Sequence, residues 1–332
     1  MDNSLRGDCL LGRGLPHSVP RHGHPMIAYC LHAAGVPRVR HRDVAPVAAL
    51  PHACEPHFQW PHTHSDHVQV ALSTRAVALS QKTVNVVLPV DPAAVEALHR
   101  LEGEPEADIV WSEVWPSAFA AADAILSGDL LLPQPSLAAP RVCELGAGVG
   151  LAGLAAALAW PNAHVLLTDR EPRALWCALA SAAANGLRID ASHLPAGLPP
   201  LPTITTEQAA SCVSASLLDW NAPLAPHLRG QFDILLLCDV LYQPGSITLL
   251  AELVPQLLSP RGALLLADTA HRPGKEGLRQ QFLDAVHASP RLSRRLRILS
   301  CRRVAANMPA PVLDVNTGDV HEVELLVMAP ED

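Results

Sequence analysis

An α/β fold with a mostly parallel sheet and helices on both faces is predicted for this chain by two observations. From Trp111 onward, short apolar segments alternate with alanine-rich stretches of helical length, which is typical of parallel strands joined by crossover helices. The last two apolar segments have no helical stretch between them. Such a pair predicts a hairpin, so we expect the final strand to run antiparallel to its neighbours.

Composition and charge limit the classes of function. The chain has 332 residues, 49% of them apolar, which is enough for one large domain or two ordinary ones. The formal net charge of -8 disfavours broad binding to nucleic-acid phosphates. The eight cysteines include no C-x-x-C pair, which disfavours a zinc ribbon and favours a reducing compartment. We therefore expect a cytoplasmic monomer, with the nucleus as a second location, and no metal or membrane contact.

Residues 1–80 are expected to form a disordered or loosely packed extension, because they show no sustained period and are rich in histidine and proline. The histidine spacings match no metal site. An organelle-targeting segment is an alternative, since arginines outnumber acidic residues, although serine is sparse. The main domain is then 81–332, with a lead-in strand near 83–91 and a short helix near 92–101.

Seven strands and four helices are predicted in the main domain. The strands lie at about 141–145, 164–168, 212–217, 232–238, 262–268, 296–301 and 322–328. The helices lie near 151–160, 171–184, 246–258 and 275–288. The proline-rich piece 195–211 is expected to be a loop insertion. An uncharged run between Glu144 and Asp169 is long enough for a bilayer, but the glycines at its start and Pro161 and Asn162 toward its end argue against a membrane helix.

A glycine turn follows the first predicted strand of the main sheet. The segment 141–150 reads as a strand, then Gly146, Gly148 and Gly150, then a helix. Glycines let a ligand approach the backbone closely, in NAD sites and in S-adenosylmethionine (SAM) sites alike. NAD sites favour glycines at relative positions one, three and six. Here they stand at one, three and five, with Glu144 two positions before the first, which favours SAM.

Polar residues end the next three strands, all at the carboxyl edge where open α/β sheets bind ligands. Asp169 is placed to hydrogen-bond ribose hydroxyls; a second interpretation, compatible with the first, is that it caps the following helix. Asp219 and Trp220 follow the third strand, and Asp239 follows the fourth.

The chain from about Trp111 to its end resembles the seven-strand SAM-dependent methyltransferases of the non-histone protein-lysine type, whose mark is an Asp-x-x-Tyr motif after the fourth strand. The resemblance implies a Rossmann-like seven-stranded sheet, SAM as cofactor and a protein substrate. Asp239 and Tyr242 match the motif and are implied to bind and orient the acceptor. The implied cofactor residues are Trp115 in Val-Trp-Pro, Glu144, Gly146, Ala147, Gly148, Gly150, Asp169, Asp219, Trp220 and Cys238.

Lysine is the acceptor that the resemblance favours, although relatives also modify arginine or histidine. A lysine side chain must lose a proton before it attacks, because its ordinary pKa is about 10.4. We expect Asp239 to hold the ammonium and Tyr242 to orient the amine. The alternatives are a small-molecule or RNA acceptor, a non-catalytic scaffold and an NAD-dependent oxidoreductase.

Two further features each have two interpretations. The His271-Arg272 pair after the fifth strand is expected to be a surface loop, with a substrate contact as the alternative. The arginines between Arg291 and Arg303 are expected to form a solvated face rather than an RNA-binding stripe.

Overall fold

The computed structural model describes residues 70–104, 107–130, 132, 139–196, 198–202, 210–270, 277–290, 292, 295–306, 308 and 321–331. Residues 1–69 of the predicted extension and the His271-Arg272 pair lie outside them. Among the described residues, no helix is long and apolar enough to cross a membrane.

A two-stranded hairpin and a helix precede the main sheet. Strand β1 (Leu72–Ala78) pairs antiparallel with β2 (Thr83–Pro89), and α1 (Pro92–Leu101) follows. The Asp91 side chain caps α1 by accepting from the Ala93 amide at 2.9 Å. The strand and helix predicted for this region are present, whereas β1 was not predicted and lies inside the stretch assigned to the extension.

The hairpin is fixed to helix α4 (Pro172–Ala184) by side-chain bonds to backbone groups. Asn85 donates its backbone N–H to Asn185 Oδ1 at 2.9 Å, and Val87 donates its backbone N–H to Ser181 Oγ at 2.7 Å. These bonds satisfy β2 amides on the side that β1 does not cover.

Among the described residues, eight strands form the main sheet: β3 (Arg141–Leu145), β4 (His164–Asp169), β5 (Arg188–Asp190), β6 (Cys212–Leu217), β7 (Phe232–Cys238), β8 (Leu258–Thr269), β9 (Leu296–Ala306) and β10 (His321–Pro330). Their order in the sheet is β5-β6-β4-β3-β7-β8-β10-β9. All pairs from β5 to β8 are parallel, and β10 is antiparallel to both of its neighbours. This confirms the mostly parallel sheet with an antiparallel last strand. The predicted number of seven strands was too low, because the three-residue strand β5 was not predicted.

Helices cover both faces of the main sheet, as predicted. Besides α4 these are α2 (Pro116–Ser127), α3 (Leu151–Ala159), α5 (Pro244–Leu257) and α6 (Leu278–Ala288). Helices α2, α3 and α4 pack with the hairpin into one apolar core, while α5 and α6 pack into the other. Strand β7 serves both cores, because Ile234 and Leu236 face one and Leu235 and Leu237 face the other.

The strand order reverses between β3 and β7. The chain leaves β3 toward β4 and β6 on one side, then crosses back to place β7 on the other side. Loops after β3 and β7 therefore diverge and leave a crevice at the carboxyl edge. The candidate site lies in this crevice.

Part of the arginine cluster lies on β9 at the edge of the sheet. Arg303 donates to Glu324 of β10 at 2.6 Å and lies 3.7 Å from Glu322. Arg291 and Arg294 lie outside the described residues. The described part of the cluster thus includes a cross-strand ion pair, which is common on solvated strands.

Gly153 in α3 lies so close to β4 that a side chain would overlap its neighbours. A Cβ at this position would overlap Leu167 Cδ2 and lie 2.7 Å from Glu144 Oε2. We expect Gly153→Ala to lower the free energy of unfolding by about 1–3 kcal/mol, measured by urea denaturation. The control is Gly245→Ala in α5, because a Cβ there meets nothing within 4 Å. Equal stability of the two variants would contradict the overlap.

Candidate active site

A cavity of about 390 Å³ opens at the carboxyl edge of the sheet, at the reversal between β3 and β7. Ligand pockets commonly measure about 300–1,000 Å³. The predicted site residues on its wall are Trp115, Glu144, Gly146, Ala147, Gly148, Asp169, Asp219, Trp220, Cys238, Asp239 and Tyr242. The glycine turn, Asp169 and the Asp-x-x-Tyr motif thus share one cavity. Gly150 is the predicted site residue that is not among its lining residues.

The glycines of the turn adopt left-handed backbone conformations, with φ of 65° at Gly146, 51° at Gly148 and 79° at Gly150. A Cβ on Gly146 would lie 3.2 Å from the Trp220 ring, and a Cβ on Gly148 would lie 3.3 Å from the Trp111 carbonyl oxygen. The space between the turn and these two tryptophans is therefore too narrow for a side chain at Gly146 or Gly148. A Cβ on Gly150 would meet β4 and α4 instead, so this glycine serves the packing of α3.

The carboxylate of Asp169 holds the glycine turn by a hydrogen bond. Its Oδ2 accepts from the Gly148 amide at 2.9 Å, and its Oδ1 accepts from the Glu171 amide at 3.0 Å. Ala147 donates its amide to the Thr168 carbonyl at 2.9 Å. The amides of Ala147 and Gly148, two of the predicted cofactor residues, thus bond within the protein. The cap of α4 is Glu171 and not Asp169, so the capping alternative for Asp169 was wrong.

Burial dominates the ionisation of the two acids next to the turn. It raises the pKa of Asp169, against the backbone hydrogen bonds from Glu171 and Gly148. Burial also raises the pKa of Glu144 to about 8, although the Gly153 amide donates to its Oε2 at 2.8 Å. Glu144 is therefore mainly protonated at neutral pH.

Glu144→Gln is expected to flatten the pH dependence of stability. The pKa of Glu144 is about 8 in the native protein against an ordinary value of 4.5, so between these values the native state holds a proton that the unfolded state has lost. The stability that this proton contributes is fully present below the unfolded-state pKa of 4.5 and is lost as pH rises through the native-state pKa of about 8. From about pH 5 to 9, the unfolding free energy of wild type should fall by a few kcal/mol more than that of the variant. Urea denaturation at several pH values measures this, and parallel curves would contradict it.

Asp239 joins two elements at the cavity wall. It is buried and has a φ of 54°, which is rare for a residue other than glycine. Its Oδ2 accepts from the Ser117 amide in the first turn of α2, and its Oδ1 accepts from the Thr269 hydroxyl, both at 3.3 Å. A carboxylate is favourable at a helix N-terminus. Asp239 therefore connects the start of α2 to the end of β8.

Tyr242 donates its hydroxyl to Asp108 Oδ2 at 2.6 Å, and Asp108 Oδ1 accepts from the Val110 amide at 3.1 Å. Burial, followed by the hydrogen bond to Asp108, raises the pKa of Tyr242 well above its ordinary value. The phenol is thus neutral. Asp108 lines the cavity but was not predicted from the sequence, and its only signal was its position shortly before the Val-Trp-Pro motif.

Three further residues of the cavity wall, Trp115, Trp111 and Asp219, differ in their exposure to solvent. Trp115 is half-buried and donates from its indole to the Val110 carbonyl at 2.7 Å. Trp111, also missed from the sequence, is buried on the same wall. Asp219 is exposed, and its bonds from the Asn221 amide and side chain lower its pKa and close a turn.

A family model described as lysine methyltransferase matches residues 100–192 and 203–288, which together make up more than half of the chain. The chain belongs to the lysine methyltransferase family. This confirms the resemblance based on the Asp-x-x-Tyr motif and the prediction of SAM as cofactor.

Two curated relatives show similarity to parts of this lysine methyltransferase family member. Protein N-lysine methyltransferase METTL21A of Danio rerio is 31% identical over 146 residues, covering 44% of this chain and 55% of that protein. Release factor glutamine methyltransferase of Bordetella pertussis is 32% identical over 120 residues, covering 30% and 43%. The chain thus spans about half the length of the curated relatives it matches. A solved TehB-like SAM-dependent methyltransferase from Corynebacterium glutamicum covers 73% of this chain and 100% of its own, with 12% identity and a TM-score of 0.40.

The cavity of this lysine methyltransferase family member fits a nucleoside with a positive charge. The turn has no side chain at Gly146, where it meets the Trp220 ring, and the carboxylate of Asp169 lies beside the turn, where it accepts from the Gly148 and Glu171 amides. Among the described lining residues, the only arginine or lysine is Arg170. The acidic lining residues are Asp108, Glu113, Glu144, Asp169, Glu171, Asp219 and Asp239.

Proposed function

We propose that this member of the lysine methyltransferase family methylates the side-chain nitrogen of lysine in a protein, with SAM as the methyl donor. The observation that carries the proposal is the excess of acidic over basic side chains around the cavity, which persists although Glu144 is mainly protonated at neutral pH. A lysine ammonium is attracted to such a wall, whereas a neutral amide acceptor gains nothing from it.

The cofactor is assigned to the half of the cavity formed by the glycine turn. We propose that Asp169 accepts from the ribose hydroxyls, and that the Trp220 ring, next to Gly146, covers the adenine. Trp115, Glu144, Ala147, Gly148, Asp219 and Cys238 complete this half, while Gly150 acts through the packing of α3. When bound, SAM supplies an electrophilic methyl group on a cationic sulfur.

The acceptor is assigned to Asp239 and Tyr242. Each oxygen of a carboxylate accepts more than one hydrogen bond, so Asp239 keeps capacity for an ammonium beside its bonds to Ser117 and Thr269. Tyr242 orients the nitrogen. A buried setting close to a sulfonium lowers the pKa of an amine, so the proton leaves to water and the free amine remains for attack.

Labelled SAM tests the proposed function. The full chain is incubated with a cell lysate and methyl-labelled SAM, samples are treated with protease or nuclease, and hydrolysed protein is separated into amino acids. We expect protease-sensitive label that elutes as methylated lysine and is absent with Asp239→Asn. Nuclease-sensitive label, methylated glutamine, arginine or histidine, or no label at all would overturn the lysine proposal.

The compartment, the oligomeric state and the domain division are also proposals. We propose a cytoplasmic monomer, with the methyltransferase domain preceded by an extension that ends before the β1–β2 hairpin rather than at residue 80. Cell fractionation, light scattering and limited proteolysis of the full chain test the three statements.

A further inference from the structure

The pair of Asp108 and Tyr242 joins two distant parts of the chain at the cavity. Asp108 lies before α2, and Tyr242 is the last residue of the Asp-x-x-Tyr motif, after β7. Both line the cavity together with Asp239. The sequence interval between them is 134 residues, so local structure does not bring them together.

The direction of their hydrogen bond decides what Tyr242 offers to a ligand. A carboxylate only accepts, so the phenol proton is held on the side of Asp108. Asp108 is itself fixed by the Val110 amide at 3.1 Å. The lone pairs of the phenol oxygen stay available for a donor in the cavity.

We propose that Asp108 is a positioning residue for the acceptor and acts through Tyr242. With its proton engaged by Asp108, Tyr242 accepts an N–H of the incoming amine and cannot donate to the nitrogen lone pair. That lone pair remains free to form the new N–C bond. This inference rests on the proposed function and extends it, because the acceptor must be a nitrogen that carries both an N–H and a free lone pair.

The chemical balance of the step is simple. One proton leaves the lysine ammonium for water before attack. The nitrogen lone pair then forms the N–C bond as the S–C bond breaks, and the electrons of the broken bond stay on sulfur. Asp108 and Tyr242 keep their protonation states throughout, so their task is orientation alone.

Fluorine NMR tests the pairing without any substrate. The chain has two tyrosines, Tyr29 and Tyr242, so biosynthetic 3-fluorotyrosine in a Tyr29→Phe background gives one signal. The greater acidity of fluorotyrosine brings the titration of residue 242 toward the range in which proteins stay folded. We expect Asp108→Asn to lower its midpoint by about one pH unit or more. The control Asp219→Asn, another acid on the cavity wall, should leave the midpoint unchanged.

A double-mutant cycle tests the catalytic consequence with labelled SAM and lysate protein. Asp108→Ala should slow transfer by about 10-fold or more with SAM affinity unchanged, since the freed phenol can donate to the amine. In a Tyr242→Phe background the same change should slow transfer less than twofold. Multiplying effects would overturn action through Tyr242, and so would an unchanged fluorine midpoint in Asp108→Asn. A shifted midpoint without methylated lysine from wild type would instead refute the proposed function and leave the pairing intact.

Discussion

Asp239→Asn is expected to slow methyl transfer by about 10²–10⁴-fold while the protein stays folded and binds SAM. The carboxamide matches the carboxylate in shape and, like it, tolerates the left-handed φ of 54° better than most side chains. Its oxygen can accept from the Ser117 amide. Its NH₂ can donate to the Thr269 hydroxyl, because a hydroxyl reverses its direction by rotation. The negative charge that faces the acceptor is the property that is lost.

Three measurements separate this result from unfolding. Thermal denaturation and calorimetric SAM binding of Asp239→Asn should match wild type, with affinity within a few-fold, while transfer of label falls to background. Asp239→Ala should lose transfer and also about 1–3 kcal/mol of stability, because two donors lose their acceptor. Wild-type activity in Asp239→Asn would show that the carboxylate only anchors α2, and the assignment of Asp239 to the acceptor would fall.

The core of the sheet and eleven residues of the cavity wall could be predicted because several motifs end parallel strands. Apolar runs that stop at Gly146, Asp169 or Asp239 give both the strand and its carboxyl end. Carboxyl ends of parallel strands share one edge of a sheet. The predicted side chains therefore meet in one cavity although they are far apart in sequence.

The elements that were missed lack such a signal. Strand β5 has only three residues, too few for a period, and β1 follows a stretch without pattern. Helix α2 was missed because it is buried on most of its surface and so shows no polar face. Asp108 ends no strand, and only the fold brings it to Tyr242.

Asp169→Asn is expected to weaken SAM binding by about 10–100-fold, which is a different outcome from the same substitution at Asp239. Both oxygens of Asp169 accept from backbone amides, Gly148 at 2.9 Å and Glu171 at 3.0 Å. A backbone N–H cannot reverse as a hydroxyl does, and a carboxamide has one acceptor oxygen. One amide must therefore face an NH₂ group, at a cost of about 1–3 kcal/mol, and the glycine turn or the start of α4 must shift.

Calorimetric titration with SAM and with its demethylated product measures this loss. The matched control is Asp233→Asn at the amino end of β7, on the opposite edge of the sheet, where the carboxylate accepts from the Arg141 amide at 2.9 Å. Its SAM affinity should stay within about twofold of wild type, because this edge is remote from the cofactor. If Asp169→Asn bound SAM like wild type, the nucleoside would be held elsewhere in the cavity. Asp169 and Asp239 lose the same charge in these variants, so the difference in SAM affinity would follow from their contacts. Asp169 is assigned to the ribose and accepts from two backbone amides, whereas Asp239 is assigned to the acceptor and one of its two donors is a hydroxyl that can reverse.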